Sequence, residues 1–269
     1  FDSTLGNTMS LISGARGGTL DIAMVGSSNV SGLAPQLAVL DIPFIFKDKA
    51  HAYRALDGEV GQKLMATLED KNLKGLAFFE NGFRNITNSK KPIVEPDDVK
   101  GLKIRVPNNP IMIATFRAWG GEPAPMAWDE TFNALQQKVV DGQENPYPVF
   151  ASNKFEEVQK YITEIHYKVW IGPIVVNAAW LKRQPEDVQK AILEGGRLAT
   201  ENNRKMIAEM ETELVKALKD KDVEILDKPE DESVWQEKAM NVWPQFYDKI
   251  GDISLLDTMM KSLGRTRPQ

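Results

Sequence analysis

The stretch from Pro185 to Lys219 constrains this chain more than any other feature of its sequence. Pro185 followed by Glu186 and Asp187 is a helix start, because proline suits the first turn and acids suit the positive end of the helix dipole. Beyond it there is no further proline up to Lys219, and an apolar face recurs through Val188, Ile192, Ile207, Met210, Leu214 and Leu218. A helix of more than 30 residues is long for one compact domain, so the spacing predicts a helix that runs along two. Gly195-Gly196 is expected to bend or weaken it midway.

Ahead of that helix the sequence alternates short apolar runs with amphipathic ones, the pattern of an α/β fold. Leu20–Val25, Leu37–Phe46, Leu73–Phe79 and Leu102–Val106 read as strands. Val169–Asn177 reads as a strand interrupted by Gly172 and Pro173, and Val223–Leu226 as a short one. Leu56, Val60, Leu64 and Leu68 recur every four residues and predict a helix over 51–68. A second helix is expected over 129–140, with Asp129 as its N-cap and Gly142 as its C-terminal breaker. The terminal stretch, rich in Trp, Phe and Met, reads as core packing.

Composition removes most chemistry from consideration. The 269 residues contain no cysteine and only two histidines, His51 and His166, which excludes disulfides, thiolate metal sites and cysteine nucleophiles. No metal site and no cofactor is expected. The net charge of −5 argues against a general nucleic-acid binder. No apolar run approaches the 18 or more residues of a membrane-spanning helix. A serine-nucleophile elbow is absent, and Gly14-Ala15-Arg16-Gly17-Gly18 lacks the Lys-Ser/Thr that completes a phosphate loop, so it reads as a turn. His51 reads as a solvated residue at a helix start and His166 as a hydrogen-bonded structural one. Asp97-Asp98 and Asp129-Glu130 stand where helices begin, so capping explains them and no catalytic residue is assigned.

Two arginines stand in unusual company. Arg105 lies inside the apolar run Ile104-Arg105-Val106, and Arg84 lies between Glu80-Asn81-Gly82-Phe83 and Asn85-Ile86-Thr87-Asn88. A buried guanidinium needs an anion, and its fork matches both oxygens of a carboxylate. An internal ion pair, or an outward-facing snorkelling arginine, would satisfy the same pattern. Asn145, in Gly142-Gln143-Glu144-Asn145-Pro146, adds a neutral donor and acceptor ahead of a proline.

In order, Asn81 to Asn88 (NGFRNITN), Asp98 to Pro107 (DVKGLKIRVP), Pro125-Met126-Ala127-Trp128 and Ala134 to Pro146 (ALQQKVVDGQENP) resemble one family. It is the substrate-binding protein of tripartite ATP-independent periplasmic (TRAP) transporters, the DctP-like family. Gly17 to Met24, Asp41-Ile42-Pro43-Phe44 and Asn177 ahead of the long helix extend the resemblance over nearly the whole chain. It implies a two-lobed α/β periplasmic binding protein, type II-like, with a hinge and a long helix spanning both lobes. Lobe I is expected over 1–82 and 172–212, and lobe II over 83–171 and 213–269.

The resemblance implies that Arg105 forms the main salt bridge to a ligand carboxylate, assisted by Arg84 and by a hydrogen bond from Asn145. It makes Trp128 a pocket wall and places Asn109, Trp170 and Asn177 nearby. Gly26 stands where some relatives carry an acid that meets amino-bearing ligands. Ser27 and Ser28 beside it suggest a hydroxyl-rich ligand end. Family members usually begin with a strand and helix ahead of the segment equivalent to residues 1–6, so about 35 to 45 residues are expected to be missing here. The implied function is periplasmic capture of a small organic acid, such as a hydroxy acid or sugar acid, for delivery to TRAP membrane subunits. Contact with the membrane would be through those subunits alone. A C4-dicarboxylate ligand, or a ligand-sensing domain signalling to a receptor, are the alternatives.

Overall fold

The computed structural model describes residues 4–229 and 231–269. Among these, nine strands follow in chain order: β1 (Ile22–Met24), β2 (Leu73–Phe83), β3 (Asn85–Asn88), β4 (Lys103–Val106), β5 (Glu122–Pro125), β6 (Gly142–Asn145), β7 (Tyr161–Thr163), β8 (Val169–Asn177) and β9 (Glu224–Leu226). They form two sheets. One is antiparallel, in the order β1-β8-β2; the other is mixed, in the order β5-β4-β6-β3-β7-β9. Each sheet is the floor of one lobe.

Two segments carry the chain between the sheets. Arg84 joins β2 to β3, and residues 164–168 join β7 to β8. The Arg84 amide donates to the Lys168 carbonyl at 2.9 Å, so the two crossings are bonded side by side and form the hinge. The third link is the long helix, Glu186–Lys219, about 50 Å from end to end at the usual rise. Its first half lies on β2: Asn203 accepts from the Glu80 amide and donates to the Glu80 carbonyl, both at 2.9 Å, and Thr200 donates to the Phe78 carbonyl. Its last turns bury Leu218 in a core shared with Phe155, Ile162 and Val223. The helix therefore touches both lobes, as its length predicts.

Gly195-Gly196 does not interrupt it. Gly196 faces β2, where a Cβ would stand 2.9 Å from that of Leu76, so glycine here permits close helix-on-strand packing. Other expectations change too. Leu37–Phe46 is no strand: Pro35–Asp41 is a 3₁₀ helix started by its proline, and the apolar run reflects burial on all sides. The helix over 51–68 begins at Lys49 and is two helices, Lys49–Asp57 and Glu59–Ala66, meeting at Gly58. Asp48 caps the first of them by accepting from the His51 amide. The helix over 129–140 shortens to Thr131–Gln136, with no side-chain bond from Asp129 at its start. Gly142 opens β6, where a Cβ would meet the Thr87 carbonyl oxygen at 2.0 Å. The Gly14–Gly18 segment is a helix end rather than a free turn, with Gly18 at φ 83° as the cap of Thr8–Gly17. Strand β8 runs through Gly172 and Pro173 without a break, and β2 takes up irregularities at Gly75/Ala77 and Glu80/Gly82.

The aromatic tail is core, as expected, with Trp235, Trp243 and Phe246 buried. Val242, Trp243, Phe246, Leu255, Leu256 and Met259 pack into the core of the three-stranded sheet, although the sequence division places 213–269 with the other lobe. Helical periodicity marks a face to be buried and says nothing of which core receives it. Likewise β8 enters the three-stranded sheet at Val169, ahead of residue 172.

Candidate functional site

A cavity of about 320 Å³ lies between the lobes. This is the lower part of the range of small-molecule sites, ~300–1,000 Å³. Thr8, Met24, Gly26, Ser28 and Asn29 line it from the first lobe; Arg105, Pro107, Trp128, Asn145 and Asn153 line it from the second; Arg84, Lys168 and Trp170 line it at the hinge.

Arg105 is placed by β4, an interior strand between β5 and β6. Its residue is 3% exposed. Nη2 donates to the Met126 carbonyl at 2.8 Å, while Nε is buried with no hydrogen-bond partner. The Trp128 ring stands 5.6 Å from the guanidinium carbon, and Trp128 in turn packs on Phe155. Among the described residues no carboxylate forms an ion pair with Arg105. Burial pulls its pKa down to about 10, against the pull of Glu144 and with the push of Arg84, so it remains charged at neutral pH. A buried, charged guanidinium with one hydrogen bond to the protein and no partner for Nε has the chemistry to receive an anion.

Arg84 has already found its anion. Its Nε and Nη2 both reach the Glu144 carboxylate, Nη2 at 2.6 Å from Oε1, and Nη2 also meets the Glu144 carbonyl at 2.9 Å. The Tyr167 hydroxyl donates to Glu144 at 2.6 Å. Burial works against the Arg84 charge, and Glu144 outweighs it, holding the guanidinium pKa above its ordinary value. The same burial, reinforced by Glu144, pushes the Tyr167 phenol well up, so it stays a donor.

Lys168 is the third cation, with Nζ 2.8 Å from Asp41 Oδ1. Three cations against the two carboxylates of Asp41 and Glu144 leave this buried cluster one positive charge, and Arg105 carries it. Asn145, at the end of β6, donates to Gln143 Oε1 at 2.6 Å beside it.

The model of the bacterial extracellular solute-binding protein family 7 (DctP) matches residues 2–250. The chain belongs to that family. It is a periplasmic solute-binding protein of the TRAP class with the two-lobed fold of its relatives. The 2,3-diketo-L-gulonate-binding periplasmic protein YiaO of Escherichia coli K12 is 43% identical over 225 residues, covering 84% of this chain and 69% of that protein. A TRAP periplasmic solute-binding protein from Polaromonas sp. JS666, solved bound to D-erythronate, superposes with a TM-score of 0.91 at 32% identity, over 96% of this chain and 84% of that one. The sugar acid binding protein DctPAm from Advenella mimigardefordensis, in complex with galactonate, gives 0.91 at 32% identity, over 97% and 85%.

In this binding protein the other residues singled out in the sequence divide. Trp128, Trp170, Asn145 and Ser28 line the cavity. Ser27 does not, and both serine hydroxyls donate to Asp41 Oδ1, at 2.7 and 3.1 Å. Asn109 lies outside the lining: its Oδ1 caps the helix Pro110–Ala118 by accepting from the Ile111 and Met112 amides, and its Nδ2 donates to Asp41 Oδ2 at 2.8 Å. Asn177 is also outside, capping Ala178–Lys182 through the Trp180 amide and donating to the Ala15 carbonyl at 2.7 Å. Both are asparagines whose donors and acceptors are consumed by the scaffold.

Sequence reasoning missed Lys168, Asp41 and Glu144. Lys168 had a visible sign, a cation abutting the apolar run Val169–Asn177, much as Arg105 sits within its own apolar run. The histidines differ in detail from expectation. His51 is half-buried, with Nδ1 lacking a hydrogen-bond partner. His166 stacks on Phe83 with ring centroids 4.3 Å apart.

Proposed function

We propose that the cleft binds a small monocarboxylic hydroxy acid of the sugar-acid class and presents it to the membrane subunits of a TRAP transporter. The observation that carries this reading is Arg105, charged, buried at the cavity wall and without a carboxylate of its own. Its fork offers a carboxylate paired N–H donors, which a lysine could not arrange in one plane. Asn145 stands on the adjacent strand as a further donor or acceptor for the same end of the ligand. Trp128 and Trp170, both in the lining, give flat apolar surface for a carbon chain or sugar face. The relatives named above bind 2,3-diketo-L-gulonate, D-erythronate and galactonate, each a carboxylate with several oxygen substituents.

Arg84 contributes through Glu144 in this reading: their pairing fixes the hinge and keeps the strand beside Arg105 in register. Binding and closure are coupled because the cavity draws walls from both lobes. A ligand touching both favours the closed state by its differential affinity, and expelled water strengthens each charged contact. We read the protein as a carrier and not an enzyme. Of the two hydroxyl-bearing residues lining the cavity, Thr8 and Ser28, Ser28 is committed to Asp41, and neither has a histidine beside it in the lining to act as a base. Ligand recovered chemically unchanged after prolonged incubation is the matching outcome.

Thermal unfolding in the presence of D-erythronate, D-galactonate and 2,3-diketo-L-gulonate tests the reading directly. A ligand at about 100 times its Kd adds roughly 2.7 kcal/mol of stability. One of these acids is expected to raise the midpoint, and Arg105→Ala to abolish the rise. A rise that survives in the variant means that Arg105 is not the receiver of the carboxylate.

A further inference from the structure

Lys168, like Arg84, is a cation of the cavity whose charge is already answered. It stands one residue ahead of β8, 3% exposed, with Nζ 2.8 Å from Asp41 Oδ1 and 3.3 Å from Ser27 Oγ. Asp41, 1% exposed, also accepts from Ser27, Ser28 and Asn109. Those three donors hydrogen-bond the carboxylate without the lysine. What Lys168 and Asp41 exchange is therefore chiefly charge. An ammonium at the wall of an anion site, left to itself, would be a natural receiver for a second carboxylate. Asp41 cancels it, as Glu144 cancels Arg84, and Arg105 alone remains unmatched.

Burial gives this count its force, because an uncompensated charge in a low-dielectric cleft is disfavoured far more than in water. We propose that the buried Asp41–Lys168 pair sets the charge of the ligand: by neutralising the ammonium at the cavity wall, Asp41 leaves place for one negative charge, at Arg105, and selects against acids carrying a carboxylate at each end. Asp41 does not line the cavity, so it acts through Lys168 as a specificity-determining residue. The proposal rests on the reading of the cleft as a carboxylate site.

Calorimetric titration of the full chain with matched acids tests it. D-galactonate and galactarate share a carbon chain and its hydroxyls and differ only in whether the far end is a hydroxymethyl or a carboxylate; D-erythronate and meso-tartrate form a shorter pair. Wild-type protein is expected to bind the monoanion of a pair at least tenfold more tightly than the dianion. In Asp41→Asn that ratio is expected to move tenfold or more toward the dianion. In the double variant Asp41→Asn, Lys168→Met, which removes both charges together, it is expected to return to the wild-type value. A purely structural effect would weaken both acids alike and leave the ratio unmoved, which overturns the proposal. Equal affinities of the wild type for both members of a pair also overturn it, and decide the matter should Asp41→Asn fail to fold. Binding of none of the four acids is a different failure: the carboxylate reading of the cleft then falls, and the charge rule with it.

Discussion

Arg84 and Arg105 line the same cavity, both 3% exposed and both beside apolar strand residues, yet they differ in one respect. Arg84 is paired within the protein, to Glu144; Arg105 reaches only a carbonyl and keeps Nε unpartnered. Burial alone thus does not mark a binding residue. Burial with the counter-charge left out is what singles out Arg105 for the proposed role, because the fold bears its desolvation without the compensation it gives Arg84.

The largest expected effect follows from that difference. Arg84→Ala strands the Glu144 carboxylate in a buried site, so it is expected to cost about 3–5 kcal/mol of folding stability. Arg105→Ala removes an unmatched charge, so the ligand-free protein should keep or gain stability while ligand affinity falls a hundredfold or more. Denaturant unfolding of both variants, with titration of the second, checks the pair. Equal destabilisation by the two would break the distinction between a structural and a ligand-receiving arginine.

Arg105→Lys is a milder probe of the same residue. The ammonium keeps the charge but loses the planar fork, and affinity is expected to fall about tenfold or more. Lysine binding as tightly as arginine would mean the site attracts anions by charge alone. The variant sharpens the comparison, since Lys168 already stands in the cavity as an ammonium paired to Asp41.

The contrast between the two arginines was half legible in the sequence. The odd placement of both in apolar surroundings could be seen, as could the length of the helix Glu186–Lys219 and the buried strand Val169–Asn177. Which arginine had an internal partner could not, because Glu144 lies 60 positions from Arg84 and meets it only through the pairing of β3 with β6. Asn109 and Asn177 show the same limit from the other side. Both stand immediately ahead of a helix, where capping claims an asparagine as readily as a ligand does. The run Leu37–Phe46 failed for another reason: uniform burial erases the periodicity that separates strand from helix, and Pro35 then decided for a 3₁₀ turn.

The smallest expected effect concerns the opposite face of the hinge, where Phe83 and His166 stack, with rings 13° from parallel, beside a groove that also holds Lys49, Tyr147, Glu164 and Glu211. Here burial disfavours charge without any ligand to supply it. His166 has its pKa lowered, by burial first and by Lys228 and Lys49, against the pull of Glu232 and Glu164. The unfolded chain takes up a proton near pH 6.5, and the folded chain resists it until a lower pH. The stabilising contribution is therefore complete above about pH 6.5 and is lost progressively as the pH falls toward the folded-state value. His166→Phe keeps a stacking ring and removes the titration, so its denaturation midpoint should fall less between pH 7.5 and 5 than that of the wild type. Some slope should remain, because burial lowers the pKa of His51 as well. Identical slopes in the two proteins would show that the half-buried imidazole accommodates its proton, in contrast to Arg105, whose charge stays unpaired within the protein.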